Sequence, residues 1–154
     1  MRFLILLLLT NIAFAEISYK LGLGSCLHQD YPAPAWTSLK KESIDTFFFL
    51  GDNIYGDVPS GKLDNIKLSY KKLNTQMPEW LRKTEKLVIW DDHDYGLNDA
   101  GANYIYKVQS QQIYNDAWKI DQNDPRRSRQ GIYFSELKDI CLLYTSDAAD
   151  EHSW

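Results

Sequence analysis

The five residues Thr46–Leu50 (Thr-Phe-Phe-Phe-Leu) are the feature that most restricts how this chain can fold. Because side chains alternate between the two faces of a strand, an unbroken apolar run predicts a strand that is buried on both faces. The run ends at once in Gly51 and Asp52, and a second apolar run at 87–90 ends in the same way at Asp91. Strands of this kind are typical of parallel sheets whose two faces are covered.

The segments around these two runs alternate between strand-like and helix-like patterns. Residues 17–24 alternate apolar and polar side chains and predict a strand, and residues 132–137 predict another. Steps of three and four residues separate the apolar side chains of one predicted helix face: Leu63, Ile66, Tyr70 and Leu73. Further helices are predicted at 35–41, from Pro78 to Lys83, and at 104–120 with Val108 and Ile113 facing inward, while 92–101 is predicted as a loop. This order of elements favours an α/β fold built in layers.

Composition places the chain among ordinary globular proteins. Of its 154 residues, 44% are apolar and 25% are charged, which excludes collagen-like, disordered and coiled-coil chains and suits about one domain. The formal net charge is -4 and there is no basic tract, so specific nucleic-acid binding is not expected. Two cysteines are too few for a disulfide framework.

Residues 1–15 have the pattern of a secretory signal peptide. Arg2 supplies the positive charge, residues 3–9 form an apolar run, and residues 13–15 (Ala-Phe-Ala) match a cleavage site of small residues. Cleavage there would leave Glu16 as the first residue of an exported protein, either periplasmic or extracellular. The run is shorter than the roughly 20 apolar residues that span a bilayer, so stable membrane insertion after cleavage is not expected. A membrane anchor or a buried core helix is the alternative for this segment.

Residues 141–154 differ in character from the aromatic-rich chain before them. From Cys141 the chain reads Cys-Leu-Leu-Tyr-Thr-Ser-Asp-Ala-Ala-Asp, which resembles the in-frame translation of a transposase-end sequencing adapter. We therefore expect a non-native tail here and a natural gene that continues past Ile140; a natural polar tail is the alternative. Residues 16–140 would then be the N-terminal part of a larger domain, with Cys26 as its single cysteine.

Reactive side chains follow three of the predicted strands. Cys26 follows the first strand, Asp52 and Tyr55 follow the second, and Asp92 and His93 follow the third. In open α/β sheets ligands bind beyond the carboxyl ends of the strands, so we expect these side chains in one crevice. Grouped carboxylates repel one another, and a metal cation relieves that repulsion. Thiolate and phenolate donors suit iron or zinc, whereas carboxylates and amide carbonyls suit calcium, magnesium or manganese, so the mixture favours two unlike metals.

Each of these residues also has an ordinary structural explanation. Asp52 before Asn53 is typical of a turn, Cys26 of a small buried apolar residue, and Tyr55 of packing. The run 91–94 (Asp-Asp-His-Asp) fits a solvated loop or a helix N-cap. Because all of them lie just past a strand, a common site is favoured over separate explanations.

Three motifs around these residues resemble the PhoD-like alkaline phosphatases, a family of calcineurin-like metallophosphoesterases. They are 24–26 (Gly-Ser-Cys), 51–57 (Gly-Asp-Asn-Ile-Tyr-Gly-Asp) and 90–101 (Trp-Asp-Asp-His-Asp-Tyr-Gly-Leu-Asn-Asp-Ala-Gly), within a similarity that extends over residues 21–140. The resemblance implies a four-layer α/β/β/α sandwich, of which this chain holds the N-terminal half. It also implies hydrolysis of phosphate mono- and diesters by a metal-activated hydroxide, with iron and calcium as cofactors or another divalent metal in their place.

The resemblance also implies roles for the residues at matching positions. Cys26 corresponds to the thiolate ligand of iron, Asp52 to the carboxylate that bridges the metals, and Tyr55 to the phenolate ligand of a ferric ion. Asp92 stands where the wider superfamily has a metal-binding asparagine. His93 stands at the histidine that contacts the phosphate and assists the leaving group.

Outside these five positions the correspondence is weaker. Asn98 and Asp57 are weaker candidates for outer ligands, and His28 is expected to be a loop residue. The later His and Asp ligands of the family have no counterpart in this chain. We therefore expect the complete protein to be the enzyme and the 154-residue chain to be inactive or unstable, with an apolar sheet face left exposed. The alternatives are a non-catalytic secreted module that binds metal or phosphate, and a structural fragment with no site.

Overall fold

Three short parallel strands form the sheet at the centre of the protein. In the computed structural model, which describes residues 18–138, they are β1 (Leu21–Gly24), β2 (Thr46–Leu50) and β3 (Glu85–Ile89). β2 lies in the middle and pairs in parallel with both neighbours. The described residues therefore form a mixed α/β structure, as the order of apolar patterns predicts.

Except for α4, which was not predicted, the helices begin and end close to the predicted positions. They are α1 (Ala35–Leu39), α2 (Asp64–Gln76), α3 (Glu79–Lys83), α4 (Asp92–Tyr95) and α5 (Lys107–Ala117), with short 3₁₀ helices at Lys40–Glu42 and Pro125–Arg127. α2 has the predicted apolar face, with Ile66, Tyr70 and Leu73 buried. Pro78 lies directly before α3, where its restricted φ is compatible with the start of a helix.

One face of the sheet packs into the hydrophobic core. The register places Phe47 and Phe49 of β2 on the same face as Val88 of β3, and none of the three is more than 3% exposed. Ile66 of α2 and Tyr114 of α5 belong to the same buried cluster. Removing this apolar surface from water is the main favourable contribution to folding.

The opposite face of the sheet is only partly covered in the described part of the chain. Leu21, Leu23 and Leu50 are 50%, 58% and 42% exposed, and Phe48 is half-buried with its ring 6.4 Å from that of Phe134. The prediction that β2 is buried on both faces is therefore wrong for these residues, because the core collects on the other side of the sheet. The expected exposed apolar face is present.

The predicted strand at 132–137 is also wrong. Ile132 is buried in the core, but the ring of Tyr133 packs against the Arg129 guanidinium at 3.9 Å and Leu137 is 96% exposed. A strand needs a partner edge for its backbone hydrogen bonds, and this segment pairs with none of the three described strands.

Two predictions about helical segments need correction as well. Val108 does not face inward: it is 58% exposed, because Ser110 and Tyr114 are the buried positions of α5. The predicted loop at 92–101 begins with one helical turn, α4, which Gly96 ends with a φ of 116°. Gly96 provides the left-handed conformation that commonly ends a helix.

Several predictions concern residues outside the described part. The signal peptide at 1–15, the tail at 141–154 and Ile17, where the first predicted strand begins, all lie outside residues 18–138. Within 18–138, none of the helices has both the length and the hydrophobicity that crossing a bilayer requires.

The assignment of the core can be tested with two substitutions on α2. Ile66→Ala should lower the free energy of unfolding by about 2–5 kcal/mol, because Ile66 is fully buried and its truncation leaves a cavity. Leu68→Ala is the matched control on the same helix: Leu68 is 64% exposed, so its effect should stay within about 0.5 kcal/mol. Urea unfolding followed by circular dichroism measures both, and equal effects would contradict this assignment of the core.

Candidate metal centre

Gly51 allows the loop after β2 to pass close to the loop after β3. Its φ is 102°, and a Cβ there would lie 2.8 Å from the Cβ of Asp91. Asp52 and Cys26 have φ angles of 51° and 55°, a conformation that non-glycine residues rarely adopt and that is often found at functional sites. The N–H of Cys26 donates to the Gly51 carbonyl at 3.2 Å, and the N–H of Leu27 donates to the Asp52 carbonyl at 2.8 Å. These bonds hold the first two loops side by side.

Asp52 lies between two groups of potential metal ligands. Its Oδ2 accepts hydrogen bonds from the Cys26 thiol, at 3.8 Å, and from the Tyr55 hydroxyl, at 3.1 Å. Its Oδ1 is buried and has no hydrogen-bond partner. Asp52, Asp92 and His93 each offer a ligand atom within 4.8 Å of the other two. One carboxylate is therefore shared by a thiol–phenol pair and a carboxylate–imidazole pair.

His93 is oriented by a carboxylate on a neighbouring loop. Its Nδ1 is 2.7 Å from Oδ1 of Asp57, and the other oxygen of Asp57 accepts from the N–H of Asn98 at 3.2 Å. This contact leaves Nε2 available for a ligand. Burial favours the neutral ring, but the hydrogen bond to Asp57 and the charges of Asp57, Asp52 and Asp92 outweigh it and raise the pKa of His93.

Asp92 is held as a carboxylate by backbone amides. The N–H of Asp99 donates to its Oδ2 at 2.6 Å, and the N–H of His93 donates to its Oδ1 at 2.9 Å. Chiefly because of the bond from Asp99, the pKa of Asp92 is lowered in spite of its partial burial. The side chain is therefore ionised at neutral pH, which is the form that binds a cation.

Tyr55 is strongly biased toward its protonated form. Burial raises the pKa of its phenol well above the usual value, and the hydrogen bonds with Cys26 and Asp52 and the charge of the Asp52 carboxylate raise it further. A cation beside these groups would reverse that effect, because it favours the phenolate and the thiolate. Binding of a metal here would therefore change the protonation state of Tyr55.

A buried carboxylate, Asp94, connects the loops that carry these ligands. Its Oδ2 accepts from the backbone N–H of Asn53 at 3.0 Å, from the side-chain amide of Asn53 at 3.2 Å, and from the N–H of Asp91 at 3.2 Å. Its Oδ1 accepts from the Tyr70 hydroxyl at 3.0 Å. Burial raises the pKa of Asp94 to about 7, although these hydrogen bonds favour the carboxylate.

Asp94 was not among the predicted site residues. Asp91 is the N-cap of α4 and forms a capping box with Asp94, so the helix N-cap considered for 91–94 is present in the structure. The spacing of two acids three residues apart was the available signal. Asn53 also donates to the Ile89 carbonyl at 2.9 Å, which ties the loop after β2 to the end of β3.

Gln29 is a second positioning residue that sequence reasoning missed. Its Oε1 accepts from the N–H of Tyr55 at 2.8 Å, and its Nε2 donates to the Tyr55 carbonyl at 2.9 Å. The ring of His28 stacks on that of Tyr55, with centroids 5.0 Å apart and planes 8° apart. The ring of His93 lies 4.2 Å from the Tyr55 ring. No pattern in the sequence distinguishes Gln29 from an ordinary polar loop residue.

The structure brings the five proposed site residues together: Cys26, Asp52, Tyr55, Asp92 and His93. Cys26 is exposed, so it is not the buried apolar residue considered as its alternative. Of the weaker candidates, Asp57 contacts His93, whereas the side chain of Asn98 donates to Asp99 at 2.7 Å. His28 is a loop residue, as expected, and packs against the site through its ring.

The donor set fits metal cations. The unpartnered Oδ1 of Asp52 is a buried acceptor, and such atoms are costly unless a donor or cation satisfies them. Carboxylate and imidazole donors suit calcium, manganese or zinc, while thiolate and phenolate donors suit iron or zinc. Exposed acidic groups alone would not indicate a metal site. The indication here comes from the carboxylate of Asp52, which several potential ligands share and whose Oδ1 is buried without a hydrogen-bond partner.

Comparisons with family models, with curated proteins and with solved structures found no match for this chain. The resemblance to a family therefore rests on the three motifs at 24–26, 51–57 and 90–101. The contacts described above are independent of that resemblance, since they follow from where the strands end and how the loops pack.

We expect substitutions in the hydrogen-bond network around Asp94 to lower stability in proportion to the number of hydrogen bonds they remove. Asp94→Ala should lower the free energy of unfolding by about 3 kcal/mol or more, because it leaves two buried N–H donors of Asn53 and the partly buried N–H of Asp91 without this acceptor. Tyr70→Phe removes only one donor and keeps the ring, so it should cost about 1 kcal/mol. Chemical denaturation of both variants measures the difference, and equal losses would refute the connecting role of Asp94.

Proposed function

We propose that the complete protein is an exported, PhoD-like phosphoesterase and that these residues form part of its metal centre. The observation that carries the proposal is the position of Asp52. One of its oxygens accepts from Cys26 and Tyr55, and the carboxylate also lies within 4.8 Å of ligand atoms of Asp92 and His93. A carboxylate shared in this way could bridge the two cations of a two-metal site, which lie close together. In the proposed four-layer α/β/β/α sandwich, the three described strands would belong to the first sheet.

The proposed cofactors are iron and calcium, or another divalent metal. Cys26, Tyr55 and Asp52 would hold the iron, because their anionic forms are the donors that iron accepts. Asp52 and Asp92 would hold the second ion through carboxylate oxygens. When bound, the cations would neutralise the charge of a phosphate ester and lower the pKa of water, which supplies a nucleophile at neutral pH.

His93 is proposed to act on the leaving group of a phosphate mono- or diester. Because Nδ1 is occupied by Asp57, only Nε2 can meet the substrate. A protonated Nε2 would donate its hydrogen to the leaving oxygen as the ester bond breaks. Asp57 stabilises that protonated ring and fixes its orientation, and the backbone N–H of Asn98 in turn holds Asp57.

A second candidate function is a non-catalytic secreted module that binds metal or phosphate. The observation in its favour is that Asp52, Asp92 and His93 already form a group of three potential ligands. Three ligands suffice to bind a cation without any turnover. The two functions differ in whether a phosphate ester is cleaved once cation and ester are both bound.

Cation binding can be tested on the 154-residue chain without any activity. Manganese or calcium should raise the melting temperature of the wild type, corresponding to about 2.7 kcal/mol at a hundredfold excess over Kd. Asp52→Asn should abolish the shift because it removes the shared anionic ligand. Asp99→Asn is the matched control, since Asp99 is an exposed acid on the adjacent loop that contacts Asp92 only through its backbone. A wild type that does not respond to either cation, or an Asp52→Asn variant that still does, would contradict the proposed centre.

Turnover is best tested on the gene extended past the codon for Ile140. That protein, loaded with iron and calcium, should hydrolyse 4-nitrophenyl phosphate. His93→Gln should lower kcat by about 10²–10⁴-fold, the usual contribution of a general acid. Asp52→Asn should remove turnover. Tight binding of phosphate without hydrolysis by the wild type would instead establish the non-catalytic module.

A further inference from the structure

Two aromatic residues, Trp90 and Tyr95, form the part of a surface groove that lies next to Asp92; we call it the aromatic groove, although its other lining residues are mostly polar or small. It consists of two adjoining cavities of about 410 Å³ and 260 Å³ that share the side chains of Trp90 and Tyr95. Asp92 lines the first cavity, and Val108 lines the second. The groove thus extends from a proposed metal ligand to the exposed side of α5.

The aromatic groove meets the candidate metal centre at Asp92, which lines the first cavity, whereas Asp52 and His93 line neither cavity. Asp92 and Tyr95 are three residues apart on this single helical turn, so they lie on the same face of it. A phosphate bound through a cation at Asp92 would therefore have the first cavity beside it. The alcohol part of a bound ester is the group that would extend into the groove.

The walls of the groove suit a flat apolar ring. The rings of Trp90 and Tyr95 meet edge to face, with centroids 5.1 Å apart and planes 60° apart. A third aromatic ring can join such a pair in the same geometry. The hydroxyl of Tyr95 donates to the Gly101 carbonyl at 3.4 Å. Because the hydroxyl is engaged in this way, a ligand in the groove would contact the apolar ring of Tyr95. Val108 is 58% exposed, and an exposed valine at the wall of a cavity is an apolar contact that a ligand can use.

We propose that the aromatic groove binds the aromatic ring of the alcohol part of an aryl phosphate ester. The proposal rests on the proposed function for the position of the phosphate, but the binding of the ring depends only on the groove. It also accounts for Val108, which the sequence pattern assigned to the core and which the structure leaves at the surface.

The binding of the ring can be tested on the 154-residue chain with phenol and cyclohexanol, which are similar in size. Phenol should shift the indole N–H resonance of Trp90 with a Kd about fivefold lower than that of cyclohexanol, because only phenol makes aromatic contacts. Val108→Asp should weaken phenol binding by a similar factor. Ile105→Asp is the matched control, since Ile105 is 78% exposed and lies outside the groove. Equal affinity for both alcohols, or equal effects of the two substitutions, would overturn the proposal.

The link to the metal centre is tested with phenyl phosphate and methyl phosphate in the presence of calcium. Phenyl phosphate should bind about fivefold more tightly than methyl phosphate, and Val108→Asp should remove that difference. Equal binding of the two esters would overturn the assignment of the groove to the alcohol part. If neither ester binds in a calcium-dependent way while phenol still shifts the Trp90 resonance, the proposed function fails and the groove stands as an aromatic binding site.

Discussion

The buried carboxylate of Asp94 is the interaction on which the geometry of the site depends. It accepts hydrogen bonds from Asn53, Asp91 and Tyr70, which belong to the loop after β2, the loop after β3 and helix α2. A buried carboxylate is costly unless its oxygens are satisfied, so these three elements cannot separate without a large penalty. The same network fixes the backbone immediately beside Asp52. The rigid part of the protein thus extends from the core directly into the ligand loops.

The site concentrates negative charge, which His93 offsets at Asp57 and which a bound cation would offset at Asp52 and Asp92. Backbone N–H groups of Asp99 and His93 donate to Asp92, and they lower its pKa. Asp57 is engaged by His93 and Asn98. Asp52 differs from both, because one of its oxygens is buried without a donor. The loops therefore satisfy the outer ligands and leave the central one open, which is the pattern expected of a metal site whose supporting contacts are already in place.

The sequence predicted the elements whose patterns are local, and it failed where burial depends on distant packing. The strand β2 follows from its continuous apolar run and the apolar face of α2 from helical periodicity, and the ends of the strands indicated where the proposed site residues lie. Val108 has an apolar side chain, but whether it is buried depends on which face of α5 meets the core. That face includes two polar residues, Ser110 and Asn115, and Val108 lies outside it. Gln29 could not be predicted, because its role depends on a contact across 26 residues of sequence.

Tyr55 shows how the fold would couple metal binding to proton release. Gln29 forms hydrogen bonds with both the N–H and the carbonyl of Tyr55, and His28 stacks on the Tyr55 ring. These contacts hold the phenol oxygen beside Asp52 and Cys26. Burial and these neighbours raise the pKa of the phenol, so the phenol is protonated when no cation is bound. In the proposed centre a ligand phenol would have to lose that proton to bind, and the affinity for the metal would therefore rise with pH. Because folding already orders the Tyr55 side chain, metal binding would not have to include the entropy loss of ordering it.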